Sequence, residues 1–235
     1  MVEISPDAII IWKLGQINLN ATIIFTWVVM ALLVLISWLA TRKLAVEPPL
    51  SSEQNLLETI VAYMRSQIHE ITQQDPDRYL LFSGTLFLFI SVSNVLAIVP
   101  GFYPPTASLS TTAALAICVF FAVPIYGIAE HGPSAYIKRY MQPTVFMLPF
   151  HIIGEVSRTL ALAVRLFGNI MSGTMIVAVL ISVVPLFLPV LMQVLGLLIG
   201  LIQAYIFAVL ATVYIASATS KQQGKEQSDQ HKRGI

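Results

Sequence analysis

Three charged side chains stand inside an apolar stretch that otherwise runs from Pro143 to Ser220: Glu155, Arg158 and Arg165. A charge near the middle of a bilayer costs about 2.5–3.5 kcal/mol on insertion scales, so each needs a partner or a task. On a helix, Glu155 and Arg158 lie three residues apart and can neutralise one another as a structural salt bridge. Arg165 has no such partner. Its helical neighbours are Ala161, Leu162, Gly168 and Asn169, and none can neutralise a guanidinium that stays protonated at any accessible pH. No acidic residue follows it in the apolar stretch, and none lies in 79–99 or 108–129. A permanent charge without a counter-charge on its own chain points to a carboxylate on another polypeptide.

Glu155, Arg158, Leu162, Arg165, Asn169, Ser172 and Ile176 recur at intervals of three and four, which places them in one stripe along a helix. That stripe is the candidate working face. Gly168 and Gly173 beside it remove bulk and would admit a second helix closely, although either glycine also serves as an ordinary packing residue. His151, one turn before Glu155, could line a polar route or act only structurally.

The elements that must position this face are membrane helices. Apolar residues make up 57% of the chain and charged residues 11%, with a mean hydropathy of +0.80; a soluble domain of 235 residues needs far less apolar surface for its core. A net charge of +1 gives no global field for nucleic acid. The single cysteine, Cys118, excludes an internal disulfide and a thiolate cluster. We expect an all-α integral membrane protein of five to six membrane helices, because a hydrocarbon core about 30 Å thick needs roughly 20 helical residues. Residues 14–41 form the first span, after a short segment, 1–13. Residues 79–129 form a hairpin of two spans, broken by Pro100, Gly101, Pro104 and Pro105. Residues 143–220 form two long, strongly tilted helices, with Pro185 and Pro189 supplying the break.

Between the first spans, residues 51–73 read as an amphipathic surface helix, with Ser51 and Gln54 as a capping box and Ile60, Val61, Met64, Ile68 and Ile71 at helical spacing. It either packs on its own spans or docks a partner. Basic clusters at Arg42 and Lys43, Arg65 and Arg78, Lys138 and Arg139, and in the polar tail 221–235 fall on one side, which the positive-inside rule makes cytoplasmic. The N-terminus and the Gly101–Thr106 turn then lie on the opposite face.

The run Leu162-Ala-Val-Arg165-Leu-Phe-Gly-Asn169 resembles the signature of the a subunit of F-type ATP synthases. Gln203-Ala-Tyr-Ile-Phe-Ala-Val-Leu-Ala-Thr-Val-Tyr-Ile215 is similar to that family's last helix, and Pro105-Thr-Ala-Ser-Leu-Ser-Thr-Thr112 to the start of its middle span. The likeness covers most of the chain from about Leu80 onward. It implies a non-catalytic stator channel, without cofactor or bound metal, beside a ring of c subunits that each carry a carboxylate for H⁺ or Na⁺. It further implies contact with b-type peripheral stalk subunits and other subunits of the complex, in a bacterial plasma (inner) membrane. Arg165 matches the family's essential arginine, which would lower the pKa of an approaching ring carboxylate and block a direct path between two half-channels. Asn169 and Gln203 match polar positions near it.

The sequence also departs from the family. Thr174 and Ser108 stand where many members carry acidic residues, and Gly196 where some carry a histidine or an acid. A half-channel on the N-terminal side would then depend on water and on hydroxyls such as Ser108, Ser110, Ser172 and Thr174, and this could mark a Na⁺-linked subgroup. Two other readings stay open. A secondary transporter would show an internal repeat, and none is visible; an inert membrane scaffold would tolerate replacement of Arg165. No Walker-type glycine loop, metal-ligand spacing or nucleophile triad occurs.

Overall fold

The computed structural model of the chain describes residues 10–14, 17–42, 52–99, 101–134, 136, 147–183 and 187–219. Ser51, Lys138, Arg139, Pro185 and the tail lie outside these residues, and with them part of the capping, orientation and hairpin-break expectations. Among the described residues there are six long α-helices: α1 (Ala21–Thr41), α2 (Ser52–Thr72), α3 (Asp77–Leu96), α4 (Leu109–His131), α5 (Met147–Val183) and α6 (Phe187–Thr219). All but α2 are long and apolar enough to cross a membrane.

The first span begins at Ala21, not at Leu14. Before it, β1 (Ile10–Leu14) and β2 (Ile17–Asn20) pair as a short antiparallel hairpin. The physical reason is legible afterwards: Ile17-Asn18-Leu19-Asn20 alternates with period two, and Asn is a poor helix former. Hydropathy averaged over a long window hides such alternation. The 21 residues of α1 still suffice for one crossing.

Helices α3 and α6 run antiparallel and form the centre of the bundle. Leu86 and Ile90 of α3, Ala116 and Val119 of α4, Leu162, Ala163 and Leu166 of α5, and Ala204, Phe207 and Ala211 of α6 make one buried cluster. Lipid tails are as apolar as these side chains, so association rests on packing and interhelical hydrogen bonds, and the alanines let backbones approach. The hydrogen bonds are present. Ser83 Oγ donates to Ala208 O at 2.9 Å and also contacts the Thr212 hydroxyl. The Tyr79 hydroxyl donates to Gln74 Oε1 and sits 2.6 Å from Thr219 Oγ1.

At the end of the bundle where α2 lies, Arg65 pairs with Asp77 at 2.7 Å and Arg78 pairs with Glu130. Helix α2 packs on its own spans: Ile68 is buried with Tyr79, Ile215 and Ala218, and the Tyr205 hydroxyl donates to Gln67 Oε1 at 2.7 Å. α4 stops at Gly132, whose φ of +80° suits only glycine well. Pro189 falls in the first turn of α6, where an amide donor is not needed. With 37 and 33 residues, α5 and α6 extend about 55 and 50 Å at 1.5 Å per residue, so they must tilt or protrude.

Candidate functional site

Helix α5 has two unlike sides. Leu162 and Leu166 are turned into the core, whereas Ala161, Val164, Arg165, Gly168 and Asn169 are exposed. Among the described residues, a Cβ built at Gly168 or Gly173 would meet nothing within 4 Å, so neither glycine packs against them. The stripe read from the sequence therefore straddles a boundary: Leu162 belongs to the core and the polar residues border the bare face.

Arg165 lies on that bare face at the middle of α5, and its neighbours Leu162 and Leu166 share one buried cluster with Ile90 and Phe207. Among the described residues no carboxylate pairs with it; the acidic partners are taken by Arg65, Arg78 and Arg158. Glu155 and Arg158 do form the pair that their spacing allows, at 3.8 Å. The Arg158 guanidinium also stands 5.7 Å from the centre of the Tyr214 ring, a cation–π contact that ties it to α6. These two charges are compensated within the chain, and His151 is exposed one turn away.

One turn beyond Arg165, Asn169 Nδ2 donates to Gln203 Oε1 at 2.8 Å. The structure thus joins two amides that are 34 residues apart and lie on different helices. Gln203 is 2% exposed, and among the described residues its Nε2 has no hydrogen-bond partner, an uncommon condition for a buried donor.

Next to this pair a cavity of about 560 Å³ opens between α5, α6 and the turn after α3. Asn169, Ser172, Thr174, Gly196 and Gly200 line it. Among the described residues its wall holds no carboxylate, imidazole, lysine or arginine. The Ser172 and Thr174 hydroxyls donate to Asn169 O at 3.1 Å and to Met171 O at 2.9 Å, which leaves their oxygen lone pairs for water or a cation. Ser108 and Ser110, 2.6 Å apart through their hydroxyls, lie at the start of α4; the wall reaches Ala107 but neither serine.

Two contributors escaped the sequence reading. Asn94 of α3 is 4% exposed and Gln193 of α6 donates to Ala97 O at 3.2 Å; both line the cavity. An amide within an apolar span faces protein or water rather than lipid, and that signal, applied to each span and not only to the charged ones, finds them.

Comparison with known proteins gives the family. The family model described as ATP synthase A chain matches residues 23–216. The chain is 58% identical over 228 residues to ATP synthase subunit a 2 of Acaryochloris marina, covering 97% of each chain. It is 58% identical over 224 residues to ATP synthase subunit a 1 of Crocosphaera subtropica, covering 95% of this chain and 97% of the relative. With ATP synthase subunit a of Albidiferax ferrireducens the identity is 53% over 231 residues, 98% of this chain and all of the other. Five apolar spans and near full-length identity agree, and the chain belongs to the ATP synthase a subunit family.

Proposed function

We propose that the chain is the ion-conducting stator of a rotary ATP synthase or ATPase, with Arg165 as the charge that couples ion flow to rotation. The observation that carries this reading is an exposed guanidinium, midway along a membrane helix, without a carboxylate partner among the described residues. Exposure at that depth means contact with lipid, with water in a channel or with another membrane protein. Lipid tails cannot compensate the charge, so the bare face of α5 is read as the surface past which c-ring carboxylates move.

A carboxylate arriving opposite Arg165 is stabilised in its ionised form by the fixed positive charge and releases its H⁺ or Na⁺. The same charge repels free cations from the short path along α5, so ions leave by the ring. The neutral cavity is the half-channel on the side of the α3–α4 turn, which is the non-cytoplasmic side in this reading; His151, Glu155 and Arg158 stand toward the opposite end of α5. Asn169 lines its inner end with Gln203 hydrogen-bonded behind it, and the two amides orient water or the guanidinium without neutralising either. Ser172 and Thr174 offer oxygens along the wall, while Ser108 and Ser110 stand behind it. The N-terminus is non-cytoplasmic and the C-terminus cytoplasmic, in a bacterial inner membrane, with b-type stalk subunits holding the stator. Nucleotide chemistry belongs to other subunits.

The test is Arg165→Ala in the assembled complex in proteoliposomes. ATP-driven cation pumping is lost while assembly persists; retained coupled pumping would refute the channel role and leave Arg165 as a scaffold charge. A parallel assay of ATP hydrolysis with and without Na⁺ decides the ion, since activity unaffected by Na⁺ removal excludes strict Na⁺ coupling.

A further inference from the structure

We infer that Asn94 is a positioning residue: it fixes the turn-side half of α6 against α3, and thereby sets Gln203 where it meets Asn169 at the inner end of the cavity. Asn94 lies in the last turn of α3, and its amide is engaged on both sides. Its Nδ2 donates to Gly200 O at 2.8 Å, and its Oδ1 accepts from the Thr106 hydroxyl at 2.9 Å. A backbone carbonyl can only accept, so the amide nitrogen must face Gly200 and the orientation is settled by chemistry. One side chain thus joins α3, α6 and the turn between α3 and α4.

The contact is tight as well as polar. A Cβ at Gly200 would lie 3.0 Å from Asn94 Nδ2 and 3.2 Å from its Cβ and Cγ. The approach therefore needs glycine on α6 and a short amide on α3 together. Gly200 is three residues, nearly one helical turn, before Gln203, whose Oε1 accepts from Asn169. The line of contact runs from Asn94 through the α6 backbone to the Gln203–Asn169 pair on α5. Toward the α2 end the same seam is held independently, by Ser83 with Ala208 O and Thr212. Gln193, donating to Ala97 O at 3.2 Å, ties α6 about two turns nearer the α3–α4 turn, so loosening Asn94 should displace the stretch around Gly200 and Gln203 and leave the α2 end in place.

The test uses the assembled complex, with the exposed Cys118 replaced by serine. Two cysteine pairs report on the two halves: Asn169→Cys with Gln203→Cys, and Ser83→Cys with Thr212→Cys. Both pairs are cross-linked in the parent by a short bifunctional thiol reagent, which spans the gap that the longer native side chains bridge. Adding Asn94→Leu, close in size but unable to hold Gly200 O or Thr106, lowers the yield of the first pair about fivefold, the factor that corresponds to losing a bond of about 1 kcal/mol, and leaves the second unchanged. Gly200→Ala gives the same pattern. An unchanged first pair overturns the inference, and so does an equal fall in both pairs, which would make Asn94 a general fold residue.

A transport readout rests on the half-channel reading as well. In proteoliposomes, Asn94→Leu alone raises the half-saturating cation concentration on the turn side more than it lowers the maximal rate. If cross-linking falls as stated while half-saturation stays put, the positioning of Gln203 stands and the assignment of the cavity as a half-channel fails.

Discussion

The seam between α3 and α6 and the outer side of α5 draw on the same apolar helices, yet their polar groups are treated in opposite ways. Along the seam the polar side chains Tyr79, Ser83, Asn94, Thr212 and Thr219 are buried and each has a partner on a neighbouring element or its own helix. On the outer side of α5, Arg165 is exposed with no ion pair among the described residues. Just behind it, Gln203 keeps a buried amide nitrogen with no partner among the described residues, a condition shared by the Ser91 hydroxyl on α3 and His131 Nδ1 on α4. Satisfied polar groups in a membrane protein hold helices together. Unsatisfied ones are costly, and they persist where something outside the chain completes them. The contrast separates what supports the bundle from what works beside it.

The comparison breaks if seam and face respond alike to mutation. The largest stability effect belongs to the seam. Phe207 is fully buried, and Phe207→Ala destabilises the bundle by about 3–5 kcal/mol through the cavity it leaves, read as a lower melting temperature of the assembled complex. Coupling per surviving complex stays intact.

Gln203→Leu should do the reverse. It removes the bond to Asn169, whose exposed amide can find another acceptor, and it also removes a buried donor without a partner among the described residues, so the two effects on stability offset one another. ATP-driven pumping nevertheless falls about tenfold, the rate equivalent of one hydrogen bond of about 1.4 kcal/mol lost from the working geometry. Equal losses of stability and pumping would erase the distinction drawn here.

The smallest effect is expected back in the seam, at Ser83→Ala, where an interhelical hydrogen bond in a bilayer averages about 0.6 kcal/mol. Chemical denaturation of the detergent-solubilised complex resolves such a change, and pumping is unaltered.

The membrane character and the long final helices were readable because a span of about 20 apolar residues cannot be disguised. The pairing of Glu155 with Arg158 followed from spacing alone, since three residues along a helix bring side chains together. The pairing of Asn169 with Gln203 could not follow that way. It joins two helices, and only their relative register decides which residues meet. The start of α1 was misplaced because β2 alternates within an apolar average. The core role of Leu162 was hidden for a related reason: interval counting finds a stripe but not which edge of it turns inward. Asn94 and Gln193 carry no full charge and lie outside the motifs that single out Asn169 and Gln203, although a neutral amide in a span carries the same message as a charge at lower intensity.

The most direct measurement is a disulfide between the bare face of α5 and the ring. Gly168→Cys, where a side chain would meet nothing among the described residues, is paired with a cysteine placed one turn from the ion-binding carboxylate proposed for the c subunit. Oxidation is predicted to link the two polypeptides and to stop ATP-driven rotation until a reductant releases it. A Gly168→Cys that stays unlinked to the ring under oxidation, with rotation undisturbed, would contradict the account.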